Sequence, residues 1–319
     1  MNIVQGLFLK VQQLASGSQE QDLSASPFIS VSDCHGCQSP CQEEDHPHYP
    51  SYLKINQDRP LLYSVKPYTR HVLISTGKED WDSHIDHDKT SLAFHLSRAI
   101  DDGQRRVKES GGEDPERILL TNSSRKAEDW EGPGWQVIVL PDQIMVDNVT
   151  PEQCNDFFDA FLKSPVGSAQ MANAGSNDTS PSEYGQSTKV TAGQTTFTAK
   201  RWLPKAAVMI CSHKKRDKRC GVVAPILRKE FLRELRSKDL FGDGAGDVEI
   251  WMVSHIGGHK FAGNVIVHKD EGMAVWYGRV EPCHCKAIVE ATIERGEVIR
   301  ELYRGGMNGS FDRQKKIAW

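Results

Sequence analysis

Residues 206–237 read AAVMICSHKKRDKRCGVVAPILRKEFLRELRS. The opening run, AAVMI (206–210), has the composition of a short buried strand. VVAPILRKEFLRELRS (222–237) places Leu227, Phe231, Leu232 and Leu235 on one helix face. Between them, Cys211 and Cys220 bracket SHKKRDKR, which carries five Lys/Arg and one His. A basic loop of this kind lowers the pKa of neighbouring thiols and favours thiolate.

The chain continues in the same alternating style. VEIWMVS (248–254), GNVIVH (263–268) and MAVWYG (273–278) read as strands. Asp-Glu-Gly at 270–272 forms the hairpin turn between the last two. CKAIVEATIERGEVIRELYRG (285–305) reads as mostly helix. The order β–α–β–β–β–α predicts a thioredoxin-like layer fold.

The preceding part repeats this order. RHVLIS (70–75) is a strand, and HDKTSLAFHLSRAIDDG (87–103) an amphipathic helix with Asp88 or Thr90 at its N-cap. RILLTNS (117–123), WQVIVLP (135–141) and QIMVDNV (143–149) are strands. TPEQCNDFFDAFLKS (150–164) closes the unit as a helix, with Thr150 at the cap and Pro151 in the first turn. The fold class is therefore α/β, with two thioredoxin-like domains made by internal duplication. Residues 164–194 are small and polar and cannot bury enough surface to offset their ordering entropy. The expected organisation is an N-terminal extension (1–60) with a Cys-rich segment, a degenerate thioredoxin-like domain (61–163) and a flexible linker (164–197). A second thioredoxin-like domain (198–306) and a C-terminal tail (307–319) follow.

SHIGGHKFAGN (254–264) adds His255 and His259 to the two cysteines. Two thiolates and two imidazoles make a complete ligand set for one tetrahedral zinc or one [2Fe–2S] cluster. The paired glycines disfavour a helix between the histidines and suit a tight loop. Aligning the two halves sets Ser75 against Cys211, His84 against Cys220, Asn122 near His255 and Lys126 near His259. One copy has lost the donors while keeping the apolar framework, which favours a functional centre over a folding requirement. Three readings follow: an electron carrier, a zinc-stabilised interaction module, or a thiol-dependent oxidoreductase using Cys211 or Cys220. Spacing alone leaves zinc and iron–sulfur even.

The rest of the composition narrows the class. At 319 residues and net charge −4, there is length for two domains and no basic field for nucleic acid. No apolar run reaches the ~18 residues of a transmembrane helix, so no membrane span is expected. The N-terminus, MNIVQGLFLKVQQL, has one Lys and no Arg, a poor secretory signal and a poor mitochondrial presequence. A soluble cytoplasmic or nuclear protein is expected. Eight cysteines without a secretory signal point to metal or redox chemistry over a disulfide scaffold. CHGCQSPC (34–41) offers Cys34, Cys37 and Cys41 as a secondary metal candidate, and CHC (283–285) a reactive thiol. No G-x-G-x-x-G follows a strand and opens a helix, and GDGAGD (242–247) reads as a connecting loop.

Cys-x₈-Cys followed by His-x₃-His-x-Phe-Ala-Gly-Asn resembles the signature of the sucrase/ferredoxin-like family, of the fungal actin-patches-distribution type. Here it comprises Cys211, Cys220, His255, His259, Phe261, Ala262, Gly263 and Asn264. The resemblance implies that the C-terminal domain is a thioredoxin-like ferredoxin with a non-Rieske [2Fe–2S] cluster. Cys211 and Cys220 would hold one iron, His255 and His259 the other. It implies an electron carrier working with a redox partner protein rather than a stand-alone enzyme. Histidine ligation raises the potential relative to all-Cys clusters, and a second titratable ring nitrogen couples proton uptake to reduction. It also implies recruitment by the cytosolic iron–sulfur assembly machinery through an apolar–acidic-or-Ser–aromatic tail. Ile317 and Trp319 fit that tail, while Ala318 departs from its middle position.

Overall fold

The computed structural model describes residues 28–31, 46–112, 117–127, 132–164, 187–269 and 272–307. Cys34, Cys37, Cys41 and Trp319 fall outside these residues, as do the N-terminal helical run and most of the expected linker.

The first half runs β2 (Arg70–Ser75), α1 (Leu92–Glu109), β3 (Ile118–Ser123), β4 (Trp135–Leu140) and β5 (Ile144–Val149). A closing helix, α2, begins as a 3-10 turn (Pro151–Gln153), becomes α (Cys154–Phe157) and ends as a π turn (Phe158–Leu162). The second half runs β8 (Ala206–Cys211), α3 (Lys218–Ser237), β9 (Val248–Val253), β10 (Val265–Lys269) and β11 (Ala274–Tyr277). Its closing helix, α4, is α over His284–Ala287 and π over Ile288–Arg295. In each half the first two strands pair in parallel and the third and fourth add antiparallel beside the first. The element order expected from the sequence is thus present twice, with the same pairing.

The halves are not two separate sheets. Among the described residues, one mostly antiparallel sheet of eleven strands runs in the order β13 (Tyr303–Gly306), β11, β10, β8, β9, β3, β2, β4, β5, β7 (Thr195–Arg201), β6 (Ser187–Ala192). Its seam lies between β3 and β9, where Ser123 pairs with Val253. Two equivalent serines clasp the seam. The Ser254 N–H donates to the Asn122 carbonyl (2.9 Å) and the Ser124 N–H to the Met252 carbonyl (2.8 Å). The Ser254 hydroxyl in turn accepts from the Asn122 N–H (3.0 Å), and the Ser124 hydroxyl from the Met252 N–H (2.9 Å).

Adjacent strands lie about 4.8 Å apart, so a flat sheet would put β10 and β2 about 19 Å apart. The rings of His268 on β10 and His71 on β2 are 5.7 Å apart. The sheet therefore folds back on itself, and the two halves face each other. Alternation along the strands builds the layers. Val72 and Ile74 face α1 and α2, and Ala206, Val208 and Ile210 face α3 and α4. Leu73, Ile138, Met209, Cys211, Trp251 and Trp276 fill the core between the halves. The order of layers is helix, sheet, sheet, helix.

Several boundaries differ from expectation. Residues 187–197, expected as linker, belong to a hairpin of β6 (Ser187–Ala192) and β7 (Thr195–Arg201) that extends the sheet beyond β5. The run 285–305 is not one helix. Gly296, in the left-handed region at φ 73°, ends it after Arg295. The chain then pairs β12 (Val298–Ile299) with β1 (Phe28–Ile29) and β13 (Tyr303–Gly306) with β11. The N-cap of α1 is Ser91, whose hydroxyl accepts from the Phe94 N–H; Asp88 instead accepts from Thr90.

Candidate metal centre

Cys211 is the last residue of β8 and is 1% exposed. Its N–H donates to the Asn264 carbonyl (3.0 Å), so β8 and the start of β10 hold it from both sides. Cys220 is fully buried in the first turn of α3, not in the loop. Asp217 caps that turn, accepting from the Arg219 N–H (2.9 Å) and pairing with its guanidinium (2.8 Å).

His255 and His259 stand on the loop after β9, their rings 5.4 Å apart. Gly257 (φ 87°) and Gly258 (φ 73°) turn this loop through the left-handed region, which a side chain would strain. The loop ends in a 3-10 turn, His259–Phe261. Cys211 lies between Cys220 and His255, close enough for both to act on its thiol. His255 then stands beside His259. The cysteines are buried, His255 is half-buried and His259 is exposed. The sulfur end is dry and the imidazole end meets solvent.

Electrostatics follow this gradient. Cys211 is held well below the usual thiol range, first by its hydrogen bond to Cys220 and then by His255. Cys220 is pushed up by that same bond and by burial. Burial lowers His259, partly opposed by Asp217. The loop cations expected to govern the thiols are largely occupied elsewhere. Lys215 pairs with Asp82 (2.7 Å), Arg216 bonds His84 (2.8 Å) and Arg219 pairs with Asp217.

The first half closes the site. The Ser212 hydroxyl donates to the Glu79 carbonyl (2.6 Å). His213 donates from Nε2 to the Trp81 and Asp82 carbonyls (both 2.9 Å), while its Nδ1 accepts from the His255 N–H (3.0 Å). His213 thus ties the histidine loop to the first half, a role the sequence pattern did not single out. Ser75 stands where Cys211 stands in the second half. His255 follows β9 by two residues as Arg125 follows β3, so its counterpart is Arg125, not Asn122. The cap alignment of α1 and α3 sets Phe94, not His84, opposite Cys220.

Two thiols and two imidazoles suit one zinc or a two-iron cluster by their chemistry. A single zinc, with bonds of about 2.0–2.3 Å, needs its donors gathered in one compact tetrahedron. Among the described residues, the sole group of three or more His, Cys, Asp or Glu donors mutually within 4.8 Å is His84, Asp86 and His87 on the surface. No three of Cys211, Cys220, His255 and His259 converge so closely. The buried Nδ1 of His255 also has no hydrogen-bond partner. Cys283 is half-buried and Cys285 is buried; burial raises the Cys285 thiol well above its usual range, against a reactive role.

An α/β protein with a buried thiol pair facing a solvent-side imidazole pair is the class that fold and site define. Residues 61–305 match the family profile described as sucrase/ferredoxin-like, and the chain belongs to that family. It is similar to Altered inheritance of mitochondria protein 32 of Clavispora lusitaniae, at 50% identity over 101 residues. That match spans 32% of this chain and 35% of the relative. The protein of the same name from Debaryomyces hansenii is 29% identical over 79% of this chain and 89% of its own length. Actin patches distal protein 1 of Saccharomyces cerevisiae is 27% identical over 89% of each. No solved structure matches. Among the described residues, no helix is long and apolar enough to cross a membrane.

Proposed function

We propose that this chain is an electron-transfer protein whose second half binds a [2Fe–2S] cluster in a bis-histidinyl, non-Rieske arrangement. Cys211 and Cys220 would hold one iron, and His255 and His259 the other. The observation that carries the reading is the donor set itself, two buried thiols and, toward solvent, two imidazoles with their rings 5.4 Å apart. The repeated β–α–β–β–β–α order supports reading both halves as thioredoxin-like domains, the second a ferredoxin.

Such a centre, when bound, exchanges one electron. The chain's own residues set the terms. Cys211, already favoured as thiolate, is ready to ligate, and the buried Cys220 gives up its proton on binding. Phe261, Ile256 and the β8–β10 strand ends keep water from the sulfur end. A cleft of about 230 Å³ lined by His84, Asp86, Arg216 and His255 opens the other end to solvent. A redox partner protein would dock there. Each imidazole keeps one ring nitrogen off the metal, where a proton can be held.

Purification under argon with iron, sulfide and zinc analysis, visible spectra and EPR of the reduced protein tests this. About two irons and two sulfides per chain are expected. Colourless, iron-free, zinc-loaded protein overturns the reading. His255→Cys and His259→Cys should each retain a cluster with a shifted spectrum.

A further inference from the structure

Arg304, on β13, is 1% exposed. Burying a guanidinium is costly unless an opposite charge answers it. None of the ion pairs among the described residues includes Arg304. Its hydrogen bonds go to neutral acceptors: Nη1 to the Asn264 side-chain oxygen (2.7 Å) and the Gly257 carbonyl (3.3 Å), Nε to the Ser64 hydroxyl (2.9 Å), and Nη2 to the Ser64 carbonyl (3.1 Å). It also lies over the rings of Phe261 (5.5 Å) and Trp276 (5.7 Å). Burial lowers its pKa to about 10. It stays charged at neutral pH.

The same guanidinium sets the histidine loop. It holds the Gly257 carbonyl, between the two histidines. A side chain at Gly258 would run into its Nη2. Asn264, which accepts from Arg304, donates to the Gly258 carbonyl (3.0 Å) and offers its own carbonyl to Cys211. One side chain therefore bears on the histidine loop directly and on Cys211 through Asn264.

We infer that Arg304 is the strut that positions the donor loops: it holds the His255–His259 loop through Gly257 and Asn264, and Cys211 through Asn264. It is a positioning residue: it bonds none of the four donors. The inference rests on the proposed ligand set but not on which metal fills it.

The test compares the whole chain with Arg304→Gln and Arg304→Lys. In metal-free protein, Co²⁺ affinity should fall about 10- to 100-fold in Arg304→Gln, the range for residues that orient metal ligands. Arg304→Lys, which keeps the charge and loses the fork, should lose affinity as well. Histidine nitrogen couplings in pulsed EPR should change in both. Wild-type Co²⁺ affinity in Arg304→Gln overturns the inference, as does full recovery of affinity in Arg304→Lys. Should Arg304→Gln fail to fold, wild-type Co²⁺ affinity with unchanged nitrogen couplings in Arg304→Lys overturns it. Iron-free wild-type protein would overturn the cluster reading alone, since the Co²⁺ comparison still decides the role of Arg304.

Discussion

His213 illustrates what one side chain decides at this site. Its two nitrogens have different partners, carbonyls on one side and the His255 N–H on the other. That fixes a neutral ring with the proton on Nε2. Replacing it by Ala would orphan the buried backbone groups it serves, at a cost of about 1–3 kcal/mol. His255 would also lose its tether, with metal affinity expected to drop about tenfold or more. Chemical denaturation and Co²⁺ titration of His213→Ala measure the two effects separately. Unchanged metal affinity would show that the His255 loop holds itself. The four donors were legible in the sequence because they sit in two short clusters of uncommon residue types. His213 was hidden by its basic neighbours. Arg304 was hidden by distance: it meets the histidine loop only after the chain has crossed β10, β11 and α4, and no local pattern marks that meeting.

Among the elements, strands were the legible part, since each buried strand is a short apolar run flanked by turn residues. The β6–β7 hairpin was missed because it needs few large side chains. Val190, Phe197 and Ala199 alone are buried along it, and Thr fills the alternate positions. A count of large apolar residues reads such a segment as linker, although β-branched alternation around Gly193 also describes a hairpin. The β3–β9 seam was illegible for a different reason: its clasp is made of two ordinary serines. Ser254 is 1% exposed and Ser124 is half-buried. Removing the Ser254 hydroxyl leaves the Asn122 N–H without its partner, so Ser254→Ala should cost about 1–3 kcal/mol. Ser124→Ala, closer to solvent, should cost less. Urea unfolding of both variants checks the order, and the reverse order would mean that the seam is held by packing rather than by the clasp.

The whole molecule depends on the fold-back of its sheet, which no single half predicts. Each half has its own helix-facing core, and the third core exists only where the halves meet. At its centre lie His71 and His268, both buried. His268 has no hydrogen-bond partner on either ring nitrogen, and His71 reaches only Thr121. Tyr68 packs edge-on to His71, and Arg117 is the nearby charge that acts on it. Burial pushes His268 down to about 3 and His71 well below the usual histidine range. An unfolded histidine titrates near 6.5, so below that pH the unfolded chain binds protons that the native core refuses. The stability these histidines contribute is complete above about pH 6.5 and is lost as pH falls toward 3. The slope is up to about 1.4 kcal/mol per pH unit for each ring. Native stability should therefore hold from pH 8 to about 6.5 and then decline, with the junction between the halves the part under strain. His268→Phe keeps an aromatic ring there and removes one titration, so its decline should be shallower by about one histidine's share. Urea midpoints of the two proteins from pH 4.5 to 8 make the comparison, and parallel curves would place the acid sensitivity outside this core.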